Sequence, residues 1–275
     1  MSTITTKMIN IIHKTKETNP LIHCLTNHIT INDCANIILA VGGKPIMAEH
    51  VEEVGNITKN AKALVINIGN INDARIDAIF LSGKIASKNN IPIIFDPVGV
   101  AGSPFRKDLS KKILQELKPN IIRGNISEIK ALSNITTKAT GIDIHPSDVP
   151  TDKNIDQLTD IVKELSVKQD AVIVATGKTD IIADHHSLYL VSNGVDMLSQ
   201  ITGTGCMCTS LIAAYCSHGD LLTASVAATT IMGVCGELAK ENSNGIGSFK
   251  ISLFDHLYQV SNQMIQERGK IIEVH

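Results

Sequence analysis

The chain has 275 residues, 43% of them hydrophobic and 3% aromatic, and a formal net charge of −2 from 25 basic and 27 acidic residues. That length fits one large α/β domain or two small ones. With no Pro/Gly/Ser-rich linker between parts, the expectation is a single domain over 1–275. A near-neutral balance without a basic run argues against a nucleic-acid partner, and an N-terminus without an apolar stretch, in a chain expected to hold no bilayer-length segment, points away from the membrane and to the cytoplasm.

Periodicity lays out the elements in order. Ile4, Met8, Ile11 and Ile12 line one side of a helix over 3–18, which Pro20 ends. Leu21 to Leu25 reads as a short buried strand running into the polar Thr26-Asn27-His28. Asn32-Asp33 is placed to cap the next helix, which Gly42-Gly43 stops. Lys44 to Met47 is a second strand. Met47 at its end is either core filler or pocket lining.

The pattern then repeats. Helices are expected over 51–61, 73–88 and 107–117, and strands over 63–68, 91–95 and 120–123. Gly69-Asn70, Asp96-Pro97-Val98-Gly99 and Arg123-Gly124-Asn125 stand at the strand ends. Apolar strands alternating with amphipathic helices imply a parallel sheet covered on both faces. Residues 136–151 turn polar and Pro-rich, as in a long loop or lid. A helix with Ile155, Leu158, Ile161, Val162 and Leu165 follows, then a strand from Ala171 to Thr176-Gly177. Residues 179–183 and 186–191 read as a hairpin forming an antiparallel edge. Three helices are expected after that, over about 206–217, 221–241 and 250–267.

Chemistry concentrates where the strands end. Ile201-Thr202-Gly203-Thr204-Gly205-Cys206 leads into an apolar run from Met207 to Cys216. Two glycines let the backbone curl close to a ligand, and a helix starting near Gly205 would offer free N–H groups and a positive dipole end to an anion. Cys206 would stand at the mouth of that site, with a thiol pKa lowered by the helix end. Phosphoryl transfer needs a cation for the transferring group and a metal ion against the phosphate charge. Arg123 can supply the first, and Asp96 and Glu128 can hold Mg²⁺ directly or through water. A structural reading stays open beside this one, with Asp96 capping a turn, Asn125 and Ser127 capping the next helix and Glu128 in its first turn. The six cysteines are expected to be reduced thiols, not a disulfide framework, and Cys206-x-Cys208 has no zinc-spaced partners nearby. His23 is expected to be a hydrogen-bonded core residue, and His185 and His186 to be solvated.

Taken together, Thr26-Asn27, Pro45-Ile46-Met47-Ala48, Asp96-Pro97-Val98-Gly99, Arg123-Gly124-Asn125-Ile126-Ser127-Glu128, Thr176-Gly177 and Thr202-Gly203-Thr204-Gly205-Cys206 resemble the hydroxyethylthiazole kinases, the thiazole-salvage enzymes of thiamine biosynthesis. The resemblance runs in order over nearly the whole chain. Cysteine closing the glycine loop, where most ribokinase-like kinases carry aspartate, is its narrowest marker. It implies a ribokinase-like three-layer α/β/α sandwich, mostly parallel with an antiparallel edge. It also implies ATP-dependent phosphorylation of 4-methyl-5-(2-hydroxyethyl)thiazole with Mg²⁺. Asn27, Met47 and Gly203 match thiazole-contacting positions, and Arg123, Thr176 and Gly205 match the ATP side. Asp96 and Glu128 match the carboxylates around Mg²⁺, and Cys206 matches the residue beside the attacking hydroxyl. The family is trimeric, with sites between subunits, so a homotrimer is implied. Hydroxymethylpyrimidine kinases and ATP-dependent dehydratases of hydrated nicotinamide cofactors are the neighbouring alternatives.

Overall fold

A computed structural model describes residues 3–135, 150–151, 154–218 and 220–274. In chain order its elements are α1 (Thr3–Thr18), β1 (Leu21–Leu25), α2 (Ile31–Ala40), β2 (Lys44–Ile46), α3 (Val51–Asn60), β3 (Ala63–Asn67), α4 (Asp73–Lys88), β4 (Ile93–Asp96), α5 (Pro104–Leu117), β5 (Ile121–Asn125) and α6 (Ile126–Leu132). They continue with α7 (Ile155–Gln169), β6 (Val172–Thr176), β7 (Asp180–Ala183), β8 (Leu188–Val191), α8 (Thr204–Cys216), α9 (Leu221–Glu241), α10 (Ile246–Tyr258), α11 (Asn262–Arg268) and β9 (Ile271–Val274).

The strands form one nine-stranded sheet in the order β2-β1-β3-β4-β5-β6-β7-β8-β9. Pairing is parallel from β2 to β6 and antiparallel from β6 to β9. Side chains of a strand alternate between faces, and the two cores follow that alternation. Val65, Ile94, Ile121, Val174 and Ile182 pack with α1, α2, α8, α9 and α10. Leu64, Ile66, Phe95, Ile122 and Ile173 pack on the other side with α4, α5, α6 and α7. This is the three-layer α/β/α arrangement expected from the sequence.

Several boundaries differ, each for a local reason. α2 begins at Ile31 behind Thr30, not at a cap made by Asn32-Asp33; Asp33 lies in its first turn and pairs with Lys250 Nζ at 2.7 Å. α5 starts at Pro104, three residues before the expected Lys107, because Ser103 accepts a bond from the Arg106 N–H and proline suits the first helical position. The last expected helix is two helices, since Ser261 accepts from the Met264 N–H and caps a new one. β9 was not expected at all. It pairs with β8 through Leu188↔Val274 to Val191↔Ile271 and extends the antiparallel edge.

α9, with 21 residues and a mean hydropathy of 1.5 over its most apolar window, is long and apolar enough to cross a membrane by length and composition. That corrects the expectation that no segment is. Here Ala224, Val226, Ala227, Ala228, Ile231 and Cys235 are buried in the core beside α8. The proposed lid over 136–151 lies, apart from Pro150 and Thr151, outside the described residues.

Candidate active site

Strand parity aims the polar strand ends at α8. Val65, Ile94, Ile121 and Val174 face the core that holds Met207, Leu211 and Ile212 of α8. Asn67, Asp96, Arg123 and Thr176 stand two residues further along the same four strands and therefore share that face. The register pairs Asn67 with Asp96 and Asn125 with Thr176.

α8 enters through Gly203, whose φ of +90° suits glycine. A Cβ at Gly203 would come within 2.2 Å of Thr30 Cγ2, so the loop lies directly against the start of α2. The first intrahelical bond is donated by the Met207 N–H to Gly203 O at 2.8 Å. The N–H groups before it belong to the orphan donors of a helix start, beside its positive dipole end.

Cys206 lies in the first turn of α8. Its sulfur accepts from Asn27 Nδ2 and from Asn67 Nδ2, each at 3.2 Å. Asn27 is buried and held in turn by Thr30, whose N–H and hydroxyl donate to Oδ1 at 3.1 and 3.0 Å. Burial first, then the charge of Asp96 and the neighbouring Cys34, push the Cys206 thiol up to about 12, against the pull of Thr30 and Arg123. The expected lowering by the helix end is outweighed. The group is a thiol at neutral pH.

Asp96 is fully buried at the end of β4. Oδ2 accepts from Thr209 Oγ1 at 2.7 Å and from Asn67 Nδ2 at 3.1 Å, and lies 3.8 Å from Arg123 Nη1. Oδ1 is buried without a hydrogen-bond partner. Desolvation raises the carboxyl pKa, opposed by Arg123, Thr209 and Asn67. Arg123 donates through Nη2 to Thr176 Oγ1 at 2.6 Å, and Thr176 donates to Gly124 O at 3.3 Å. The guanidinium lies over Gly205. Asp180, at the start of β7, accepts from the Gly177 N–H at 2.9 Å. Burial pushes its carboxyl up to about 7 against that N–H and Arg123.

Glu128 sits in the first turn of α6. Oε1 accepts from the Gly99 N–H and Oε2 from the Asn125 N–H, both at 2.8 Å, while Asn125 Oδ1 accepts from the Glu128 N–H at 2.9 Å. The structural reading is thus realised in part, with Asn125 as the cap and Glu128 in the first turn closing a capping box, while Ser127 lies within the helix. It does not exclude a second part, because burial and the charge of Asp96 push Glu128 up to about 7 and mark the two carboxyls as neighbours. Among the described residues no three of His, Cys, Asp and Glu gather as a metal cage. All six cysteines are free, and His23 is a core residue bonded to Thr58 and Ala48 O. His185 pairs with Asp170 at 2.8 Å.

Asn27, Gly203, Gly205, Cys206, Asp96, Arg123 and Thr176 thus gather around the start of α8, while the Glu128 carboxylate is bonded to the Gly99 and Asn125 N–H groups. Met47 follows β2 on the same sheet edge and packs half-buried against the α8 core. Two contributors escaped the sequence reading. In sequence, Asn67 reads as part of a strand running on to Ile68, and Thr209 as part of an apolar helix. For Thr209 the available signal was its helical spacing from Gly205, whose carbonyl accepts from it at 3.2 Å.

A family model described as the Hydroxyethylthiazole kinase family matches residues 12–263. Hydroxyethylthiazole kinase 2 of Clostridium botulinum (strain Langeland) is 47% identical over 252 residues, 92% of this chain and 95% of that protein. The structure of hydroxyethylthiazole kinase protein from Pyrococcus horikoshii OT3 matches with a TM-score of 0.89 at 29% identity, covering 98% of this chain and 100% of that one. A ribokinase-like superfamily protein from Enterococcus faecalis V583 matches at a TM-score of 0.62 and 11% identity, covering 91% of this chain and 94% of that one, a likeness of fold alone.

Proposed function

The chain belongs to the hydroxyethylthiazole kinase family, and we propose that it transfers the γ-phosphoryl group of ATP to the hydroxyl of 4-methyl-5-(2-hydroxyethyl)thiazole, in thiamine salvage. The observation that carries this reading is the arrangement around the start of α8. The Cys206 thiol lies on one side, bonded to Asn27 and Asn67, and the Arg123 guanidinium lies on the other, over Gly205.

The thiazole alcohol is assigned to the side of Asn27, Met47 and Gly203, with its hydroxyl beside Cys206. ATP is assigned to the side of Arg123, Thr176 and Gly205. The orphan N–H groups of α8 and the guanidinium meet the transferring phosphoryl oxygens, where fixed donors stabilise charge spread over those oxygens. Thr176 orients Arg123 through their hydrogen bond. Because the Cys206 thiol is protonated at neutral pH, its part is to orient the hydroxyl, with its sulfur held by two amides.

The residues fit a Mg²⁺ ion held mainly by phosphate and water. Asp96 Oδ1 is a buried carboxylate oxygen without a hydrogen-bond partner, and both Glu128 oxygens already accept a backbone N–H. This favours Asp96 as the nearer oxygen and Glu128 acting through water, as a cation that keeps most of its hydration prefers. Bound there, the ion would neutralise phosphate charge.

We read 1–275 as one kinase domain acting as a homotrimer with sites between subunits. Exposed Ile29, Leu39, Ile251 and Tyr258, on α2, α10 and the loop that carries Asn27, support an assembly surface. Six free thiols fit a cytoplasmic setting. The test is ADP release with Mg²⁺ and ATP, alone, with the thiazole alcohol and with the hydroxymethylpyrimidine alcohol. Release that rises only with the thiazole alcohol is expected; stimulation by the pyrimidine alcohol alone would overturn the substrate assignment. A fully active monomer in sedimentation would overturn the assembly.

A further inference from the structure

Asn67 closes β3, and its side chain is fully buried. Oδ1 accepts from the Gly69 N–H at 2.9 Å and from Asn27 Nδ2 at 3.3 Å; Nδ2 donates to Asp96 Oδ2 at 3.1 Å and to Cys206 Sγ at 3.2 Å. The backbone decides which way this amide faces, because a backbone N–H can be met only by the amide oxygen. The Thr30 N–H fixes Asn27 in the same way. Both NH₂ groups must therefore turn toward the sulfur. An amide nitrogen carries two N–H bonds, and Asn67 directs one at Asp96 and the other at Cys206.

Two consequences follow for the sulfur. It accepts from both amides, so its own S–H points away from them. It is also joined through one rigid, uncharged group to the carboxylate of Asp96. A lysine at position 67 would neutralise that carboxylate and an aspartate would repel it; an amide links the two without changing either charge.

We infer that Asn67 is a positioning residue for phosphoryl transfer, holding the Cys206 sulfur and the Asp96 carboxylate in one fixed relation. The inference rests on the reading of Cys206 as the residue beside the attacking hydroxyl. Asn67 touches neither substrate in this reading; it acts through the two groups it bonds. The strand register supports the assignment independently, since Asn67 and Asp96 are paired residues facing α8.

The experiment is a double-mutant cycle of wild type, Asn67→Ala, Cys206→Ala and the double variant, with kcat, KM for ATP, KM for the thiazole alcohol and a thermal melt for each. A misplacement of about 1 Å costs on the order of 100-fold in rate, so Asn67→Ala should lower kcat about 10- to 100-fold with both KM values within about threefold. In the Cys206→Ala background the same substitution should cost about fivefold less or better, because the sulfur it positions is gone. Equal losses in the two backgrounds, or a raised KM with kcat kept, would make Asn67 a packing residue and overturn the inference. Wild-type turnover by Cys206→Ala would remove the reading beneath it, and the inference with it. A slow Cys206→Ala beside a fast Asn67→Ala would remove the inference alone. Should Asn67→Ala fail to fold, Asn67→Leu carries the same cycle, since it keeps the branched shape, loses both donors and brings no charge beside Asp96.

Discussion

The Arg123 guanidinium rests on the backbone of Gly205: a Cβ built on that glycine would lie 2.5 Å from Nη1 and 3.0 Å from Nη2. The start of α8 and the Arg123 guanidinium are thus one assembly, and the absence of a side chain at position 205 sets their distance.

Gly205→Ala should therefore damage activity and spare the fold. The clash is with the end of a flexible side chain, so the guanidinium moves and gives up its bond to Thr176. Alanine in the first turn of a helix is favourable by up to about 1 kcal/mol relative to glycine. We expect kcat/KM for ATP to fall about 100-fold, as for a misplaced catalytic group, with a melting temperature equal to or above wild type. Steady-state kinetics and a thermal melt read both. Full activity would show that Arg123 is not needed where it stands.

Arg123→Ala should weaken use of ATP far more than binding of the thiazole alcohol. Loss of a hydrogen bond to a charged group costs about 1.5–3 kcal/mol, or roughly 10- to 150-fold in kcat/KM for ATP. KM for the alcohol should stay within about threefold. Stability should fall too, because Asp96 loses its facing cation while remaining fully buried. Unchanged kinetics with ATP would remove Arg123 from the phosphate side.

Asp180 gives the pH dependence of stability a definite sign. Burial raises its carboxyl from 3.8 to about 7 in the folded chain, so the folded state holds this proton more tightly than the unfolded state. The resulting stabilisation is complete below the unfolded value and is lost as pH rises through about 7. Asp180→Asn keeps an oxygen for the Gly177 N–H and has no proton to lose. Relative to this variant, wild type should lose about 2–3 kcal/mol between pH 5 and pH 8, roughly 5–10 °C in melting temperature. Parallel curves for the two proteins would refute the buried-acid account.

The sheet and most of the candidate site's polar positions are legible in the sequence because both follow local rules. A buried parallel strand is an apolar run, and polar residues mark where that run stops, at the last residue of β4 and β6, Asp96 and Thr176, and within β5 at Arg123. The capping box of Asn125 and Glu128 is likewise local. Asn67 was not legible, since Ile68 continues the apolar run past it and only the pairing with Asp96 shows where the strand ends. β9 exists because β8 offers it an edge, a non-local condition. The thiol was misjudged for the same reason. A helix start is visible in sequence, whereas the burial that outweighs it depends on β1, β3, β4 and α2 closing around Cys206.

The burial of Cys206 decides what its substitution should do. With its pKa at about 12, the thiol contributes almost no thiolate at neutral pH, so wild type works without a strong base at this position. Cys206→Ala removes only an orienting group and leaves Arg123, the α8 N–H groups and Asp96 in place. In a loose phosphoryl-transfer transition state a base contributes little until late, and the deficit should stay near the lower end of general-base effects, about 100-fold or less. Cys206→Asp is different. A carboxylate there meets the two N–H donors of Asn27 and Asn67 that already face the sulfur, and hydrogen bonds to the charged form favour ionisation. It would be a base with two donors to hold it, opposed by the negative charge of Asp96 beyond Asn67. We expect Cys206→Asp to match or exceed wild type and Cys206→Ala to fall below it, in single-turnover phosphorylation at saturating ATP. The rate of Cys206→Asp should also depend on Asn67, because Asn67→Ala leaves the new carboxylate with one donor in place of two. If Cys206→Ala equals wild type while Cys206→Asp is inactive, the residue packs the start of α8 and takes no part in the transfer.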